Sequence, residues 1–184
     1  MTLATATDEE LAARAAGGDQ AAMRMLIERH LDRVVLTCRR ITGNTQDAED
    51  AAQEALIAAY RHIGQFRAEA RFSTWLTTIA TRTAVRMATR RRVAQTPLDH
   101  HRDHAPIRSF GPDDAAATRV DLDRALDRLH PEFRAALVLR ESHGLSYAEI
   151  GEVLRIPEVT ARTRTNRAYK ALAAMLRDAE EGTR

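Results

Sequence analysis

Apolar positions recur at helical spacing through most of the chain from Asp8 to about Arg92. Ile27, Leu31, Val34, Cys38 and Ile41 follow one another at steps of four and three, which lays one apolar stripe along a helix. Asp19 precedes this run as an N-cap, its carboxylate placed to accept from the orphan amides of the next turn. Gly43-Asn44 ends it, with glycine supplying the left-handed geometry of a C-terminal cap. A second helix is predicted from about Thr45 to Ile63, stopping at Gly64. A third is predicted to start near Ser73-Thr74, with Leu76, Ile79, Ala80, Ala84 and Met87 on its buried side. Residues 65–72 form the loop between them.

The period is lost from Val93 to about Asp113, where Pro97, Pro106, Gly111-Pro112 and three histidines fall. So long a connection is unusual inside one compact domain, so 93–113 reads as a linker between a domain over 8–92 and another over 114–177. In the second half, Ser146-Tyr147-Ala148-Glu149 is a capping box, in which hydroxyl and carboxylate reciprocally satisfy amides at a helix start. The helix it opens is short, ending near Leu154. Arg155-Ile156-Pro157 makes the turn, and Pro157 is preset for the first position of a longer helix from about Glu158. Short helix, tight turn and long basic helix spell a helix-turn-helix. With Ala161, Thr165, Ala168 and Leu172 inward, Val159, Arg162, Thr163, Asn166 and Lys170 face outward, a set able to bond base edges and phosphates.

Composition agrees with an all-α fold of two small helical domains, an N-terminal bundle and a C-terminal helix-turn-helix domain, joined by a flexible linker. Alanine supplies 34 of 184 residues, while aromatics are 4%, a balance that favours helices over sheets. The longest run without Asp, Glu, Lys or Arg is the ten residues from Phe72 to Thr81, too short to span a bilayer. Met1 to Ala6 lack the basic start and apolar run of a secretory signal, so a cytoplasmic protein with no membrane insertion is expected. A single cysteine, Cys38, excludes an internal disulfide or a Cys-rich zinc site. Its place on the apolar stripe makes it a structural thiol.

The formal net charge of +2 hides a sorting along the chain. Between Gly43 and Ala59 stand four acids, Asp47, Glu49, Asp50 and Glu54, and no base. Between Thr74 and Arg92 stand five arginines, Arg82, Arg86, Arg90, Arg91 and Arg92, and no acid. From Arg155 to Lys170 five bases face Glu158 alone. One acidic and two basic helices suggest one protein partner and two contacts with a polyanion. Four clustered acids would repel one another without a partner, so the basic groups that answer them are expected outside the chain.

Enzyme chemistry finds no foothold. A di-iron bundle needs inward Glu-x-x-His pairs, which are absent, as are a Gly-rich phosphate loop and a nucleophile elbow. His100, His101 and His104 form the one dense histidine cluster, in a loop without cysteine, and read as solvated. No catalytic residue, metal or cofactor is expected. A regulator that binds duplex operator without polymerase explains the second half equally well, but not the arginine-rich helix beside aromatics nor the acidic helix.

Taken together, Asp47-Ala48-Glu49-Asp50-Ala51-Ala52-Gln53-Glu54, Phe66-Arg67, Phe72-Ser73-Thr74-Trp75-Leu76, the arginines at 90–92, the proline-bearing linker, Leu129 to Arg140 and Gly144-Leu145-Ser146-Tyr147-Ala148-Glu149-Ile150 resemble a sigma factor of the extracytoplasmic-function type, over about residues 8–177. The resemblance implies that 8–92 is sigma region 2 and 114–177 region 4. It implies that Asp47, Glu49, Asp50, Gln53 and Glu54 dock on the clamp coiled coil of the largest subunit of core RNA polymerase. Asp47, Asp50 and Glu54 share one helical face at i, i+3 and i+7. Phe66, Arg67, Trp75, Thr78, Arg82, Arg86, Arg90, Arg91 and Arg92 would melt and hold the minus-ten element of promoter DNA, which needs a platform for an unstacked base and cations for the backbone. For Trp75, wedging the third helix against the second is an equal alternative. Val159, Arg162, Thr163, Asn166, Arg167 and Lys170 would read the minus-thirty-five element as duplex, over a core of Leu126, Leu129, Phe133, Leu137 and Leu139. Many members are held by an anti-sigma protein that wraps both domains.

This chain departs from the family pattern at Gly151, Arg155, Ala161 and Thr165, and at Thr81-Arg82, where an Arg-Asn pair is frequent. Arg155 must take a turn position where glycine is easier, at a cost of about 1 kcal/mol. Ala161 and Thr165 thin the apolar face, so a weaker second domain is expected.

Overall fold

The computed structural model describes residues 3–94 and 125–181, and every regular element among them is helical. Four helices make the first half: α1 (Asp8–Ala16), α2 (Gln20–Thr42), α3 (Thr45–His62) and α4 (Phe72–Ala94). After a single helical turn at 125–128, the second half contains α5 (Pro131–His143), α6 (Tyr147–Leu154) and α7 (Glu158–Glu181). The expected linker at 93–113, its histidine cluster and residues 114–124 lie outside the described residues beyond Ala94.

The ends of these helices follow from local chemistry. Thr7 and Glu10 form a capping box on α1. Asp19 Oδ1 accepts from the amides of Ala21 and Ala22, each at 3.0 Å, and opens α2. Gly43 closes α2 at φ 76°, and Asn44 at once caps α3 by accepting from the Asp47 amide at 2.8 Å. Gly43 is needed twice over. Besides its backbone angle, a methyl group there would meet Nη1 of Arg134 and Oδ1 of Asp127, where the second half comes against this corner.

The first core lies between α1, α2, α3 and α4. α3 buries Ala48, Ala51, Ala52, Ala55 and Ala59, a small-residue stripe that lets α2 and α4 approach closely. Leu11, Leu26, Ile41 and Phe72 fill the space around it. Leu31 departs from the expected stripe and is 40% exposed. Leu31 stands one heptad before Cys38 and so only about 20° from its bearing, but Val34, Cys38 and Ile41 carry the buried side of the run and the neighbouring helices leave Leu31 uncovered. Burial pushes the Cys38 thiol up to about 12, so it stays protonated and serves as packing.

In the second half, Ala136, Leu139, Leu145, Ile150, Val153 and Ala161 form one core, and Leu126, Leu129, Leu137 and Ala168 another. The buried Arg134 holds the turn before α5, donating to the carbonyls of Asp127 and Leu129 and pairing with the Asp127 carboxylate at 3.1 Å. The two halves are not separate beads. Ala135 and Val138 of α5 belong to the first core, and Leu154 packs against it.

Candidate nucleic-acid interface

The helix-turn-helix is built from α6, a three-residue turn and α7. Ser146 and Glu149 complete the expected capping box, the Glu149 amide donating to Ser146 Oγ at 3.2 Å and the Ser146 amide to Glu149 Oε2 at 2.7 Å. The Ser146 amide first, and then its hydroxyl, hold the Glu149 carboxyl below its usual range. Arg155 takes the left-handed conformation, φ 55° and ψ 50°, as expected for its place in the turn. Gly151 shows how tight that turn is: a Cβ would come 2.7 Å from the Ile156 carbonyl oxygen.

α7 turns as the sequence pattern requires. Ala161, Thr165 and Ala168 are fully buried, whereas Val159, Arg162, Thr163, Asn166, Arg167 and Lys170 are exposed. Val159, 75% exposed near the helix start, is an apolar group held out to solvent. The hydroxyl of the buried Thr165 is satisfied by the Ala161 carbonyl at 2.9 Å, so the thin inward face carries no orphan at that point. Arg162 lies over the Tyr147 ring at 5.2 Å and pairs with Glu158 at 3.2 Å. Arg167 lies over Phe133 at 5.9 Å.

Around the start of α4 the three aromatics gather. Phe66, Phe72 and Trp75 sit with ring centroids 5.6–5.7 Å apart. Phe72 is 1% exposed and belongs to the core, whereas Phe66 and Trp75 are half-buried against it. Trp75 packs on the two phenylalanines at the edge of the core, with part of its ring still accessible. Arg67 is exposed in the loop that follows, and its neighbour Ala68 is held at φ 55°, a conformation alanine rarely adopts. Thr78 returns its hydroxyl to the Thr74 carbonyl. Thr81 is fully buried, so of the Thr81-Arg82 pair only Arg82 can meet a ligand.

The arginines of α4 do not stand free as a set, which corrects the expectation drawn from the charge map. Arg91 Nη1 pairs with Asp47 Oδ2 at 2.9 Å, and Arg86 Nη2 with Glu54 Oε1 at 2.5 Å. Two of the four clustered acids are therefore answered within the chain, because α3 and α4 lie side by side and bring residues far apart in sequence into reach. Glu49 and Asp50 have no hydrogen bond or ion pair among the described residues, and with Gln53 they are exposed. The Arg86–Glu54 pair is at the surface, where such pairs contribute about 0–1 kcal/mol and exchange readily, whereas Asp47 is half-buried and its Oδ2 also accepts from Asn44 Nδ2 at 2.5 Å. Arg90 is exposed and without a partner among the described residues, while Arg92 is engaged.

Arg82 faces the second half. Its Nε donates to the Val153 carbonyl at 2.7 Å and its Nη2 to the Glu152 carbonyl at 2.9 Å. Burial and the nearby Arg155 charge lower its pKa. Beside it, Arg40 donates to Ser142 Oγ at 2.7 Å, Arg33 Nη2 meets His143 Nδ1 at 3.1 Å, and Thr37 Oγ1 meets His143 Nε2 at 2.9 Å. Sequence reasoning missed this polar seam, and no periodicity signals it. Among the described residues no cluster of His, Cys, Asp and Glu is arranged to hold a metal, and no helix is long and apolar enough to cross a membrane.

These features define a helical protein of two halves whose second half carries a helix-turn-helix of the kind that enters a DNA groove. Residues 26–93 match the family described as Sigma-70 region 2, and residues 119–172 match Sigma-70, region 4. The chain is 38% identical over 164 residues to the ECF RNA polymerase sigma factor SigE of Mycolicibacterium smegmatis, covering 85% of this chain and 63% of that one. It is 35% identical to the RNA polymerase sigma-H factor of Pseudomonas aeruginosa, covering 94% of this chain and 97% of the relative. It is 34% identical to the ECF RNA polymerase sigma factor SigW of Bacillus subtilis, covering 88% and 92%. Among solved structures it resembles CnrH in complex with the cytosolic domain of CnrY, with TM-score 0.66 and 26% identity over 93% of this chain and 97% of that one. It shares its fold with the sigma factor RpoE, solved with the anti-sigma factor NepR from Bartonella quintana, at TM-score 0.63 and 22% identity over 84% and 96%. The chain belongs to the extracytoplasmic-function group of the sigma-70 family of RNA polymerase sigma factors.

Proposed function

We propose that this chain binds core RNA polymerase in the cytoplasm and directs it to a set of promoters, with no catalytic group, metal or cofactor of its own. The observation that carries the reading is the succession of a region 2 match and a region 4 match along one chain, the second ending in a helix whose exposed side is Val159, Arg162, Thr163, Asn166, Arg167 and Lys170. In this reading residues 8–92 form the polymerase-binding and minus-ten domain, 93–113 the linker, and 114–177 the minus-thirty-five domain. The exposed side of α3, with Glu49, Asp50 and Gln53 open, Glu54 in an exchangeable surface pair and Asp47 paired with Arg91 at its edge, takes the clamp coiled coil of the largest subunit. Phe66, Arg67 and the open part of Trp75 meet the melted strand, and Thr78, Arg82, Arg86, Arg90, Arg91 and Arg92 lie along its backbone. The polar residues of α7 reach base edges in the major groove, with Val159 suited to a thymine methyl group. A regulator of the anti-sigma kind is the further partner of this reading, for which the solved relative bound to a second protein's cytosolic domain is the precedent.

Transcription in vitro with added core polymerase on a library of genomic fragments tests the reading. Transcripts starting downstream of a shared pair of elements are expected, and only when chain and core are both present. Duplex binding by the chain alone, with no transcript in the presence of core, would overturn it in favour of an operator-binding regulator.

A further inference from the structure

Arg162, on the outward side of α7, is held in two ways. Its Nη2 pairs with Glu158 Oε1 at 3.2 Å, one turn earlier on the same helix, and its Cζ lies over the Tyr147 ring, 5.2 Å from the centroid. The two contacts differ in what they leave open. An ion pair engages the N–H donors, and a base edge must displace it. A charge over a ring is drawn to the π face, which takes up none of the acceptor-seeking N–H groups, so the guanidinium can keep its seat while those groups turn to a base.

The ring is itself fixed from several sides. Tyr147 is the first residue of α6, where the Ser146–Glu149 capping box sets the backbone. Its side chain is half-buried against the core that includes Leu145 and Ile150. Arg140 of α5 lies over the same ring at 4.9 Å, and its Nη1 donates to the Leu145 carbonyl at 2.9 Å. Next to Arg140 in sequence, Glu141 accepts from the Tyr169 hydroxyl, and Tyr169 stands seven residues beyond Arg162 on the same side of α7. All three helices thus meet at this ring or beside it. The Tyr147 hydroxyl makes no hydrogen bond among the described residues, so within the chain the residue acts through its ring.

We propose that Tyr147 is a positioning residue for base readout: its ring sets where Arg162 stands before and during contact with the minus-thirty-five duplex, and so fixes the guanine-bearing base pair that Arg162 prefers. The proposal rests on the reading of Arg162 as a minus-thirty-five contact. An arginine reads guanine by donating from a forked pair of N–H groups to O6 and N7, and that geometry tolerates little error. A free arginine side chain spreads over many rotamers, most of which point elsewhere, and that freedom is lost on binding. A seat that holds the guanidinium without consuming its donors reduces the loss and narrows the choice of base. Recognition then depends on α6 as well as α7, through a residue that need touch no base itself.

Transcription in vitro by the holoenzyme, on a promoter library randomised across the minus-thirty-five element, tests this with base preference read position by position. Arg162→Ala identifies the base pair that Arg162 reads, as the position whose preference it erases. Tyr147→Leu and Tyr147→Met keep an apolar side chain on the core and remove the ring, while Tyr147→Phe keeps the ring and removes the hydroxyl. At unchanged helix content, the Leu and Met variants should lower the preference at that one position roughly tenfold, within the range a bidentate arginine supplies, and leave the other positions alone. Tyr147→Phe should match the unaltered chain, and Tyr147→Leu should add nothing in an Arg162→Ala background. A loss spread evenly over all positions in both ring-less variants would overturn the proposal by making the residue structural. A loss in Tyr147→Phe, with a shallower salt dependence of promoter binding, would overturn it by making the hydroxyl a phosphate contact. A preference that Arg162→Ala erases but Tyr147→Leu and Tyr147→Met spare would overturn the seat and leave Arg162 as the reader. Preferences unchanged even by Arg162→Ala, or no transcript from the unaltered holoenzyme, would remove the underlying reading together with the proposal.

Discussion

Arg33 can only donate, so the Nδ1 of His143 facing its Nη2 at 3.1 Å must be an acceptor. Thr37 already gives its one hydroxyl proton to the Arg33 carbonyl at 2.7 Å, so His143 must donate to Thr37 Oγ1 from Nε2. The imidazole is thereby fixed as neutral with its proton on Nε2, and a second proton would point at a guanidinium. Burial first, then the charges of Arg33 and Arg40, lowers its pKa to about 4. The sign follows directly. A depressed histidine pKa favours the docked arrangement fully above the ordinary value of 6.5, and that support is lost as pH falls from there toward 4. A proton-resolved titration of the His143 ring by NMR should give a midpoint near 4 in the unaltered chain. A midpoint near 6.5 in the unaltered chain would show the ring is not buried between those arginines.

At the scale of elements, local chemistry was legible because each signal acts within a turn or two. Asp19, Ser146 with Glu149, Gly43 and the strained Arg155 all do what their neighbours in sequence dictate. The outward side of α7 was legible for the same reason, since one helical period settles six residues at once. Leu31 was misread because spacing gives a bearing on the helix and not how far along it the neighbouring helices cover that bearing. The turn between α6 and α7 yields its own prediction. Gly151→Ala would drive a methyl group into the Ile156 carbonyl, so it should cost about 1–3 kcal/mol although alanine is the better helix former. Arg155→Gly should do the opposite, with a net gain of about 0.5 kcal/mol once relief of about 1–2 kcal/mol of backbone strain is set against glycine's larger loss of chain entropy. Denaturant midpoints of the two variants check both. A stabilised Gly151→Ala chain would mean the turn is looser than its geometry.

For the whole molecule, what the sequence concealed is what depends on one helix lying against another. The charge map placed acids and arginines on separate helices, and that is correct; it did not reveal that those helices are neighbours and that Asp47–Arg91 and Glu54–Arg86 pair across them. Nor did it reveal the seam that joins α2 and α4 to α5 and α6, whose partners are about a hundred residues apart in some cases. The structure also refines which acids to test. Glu54→Arg would set two guanidinium groups against each other at Arg86 and confuse folding with docking, whereas Glu49 and Asp50 are exposed and unpaired among the described residues. The central claim is that α3 is the surface by which this sigma factor grips polymerase. Titrating fluorescently labelled chain with core RNA polymerase, for the unaltered protein and for the Glu49→Arg, Asp50→Arg double variant at matched helix content, addresses it most directly. The account predicts saturable binding by the first and at least about a tenfold loss by the second, as expected when close charge pairs at an interface become repulsive. Equal affinity for core in the two proteins would contradict it.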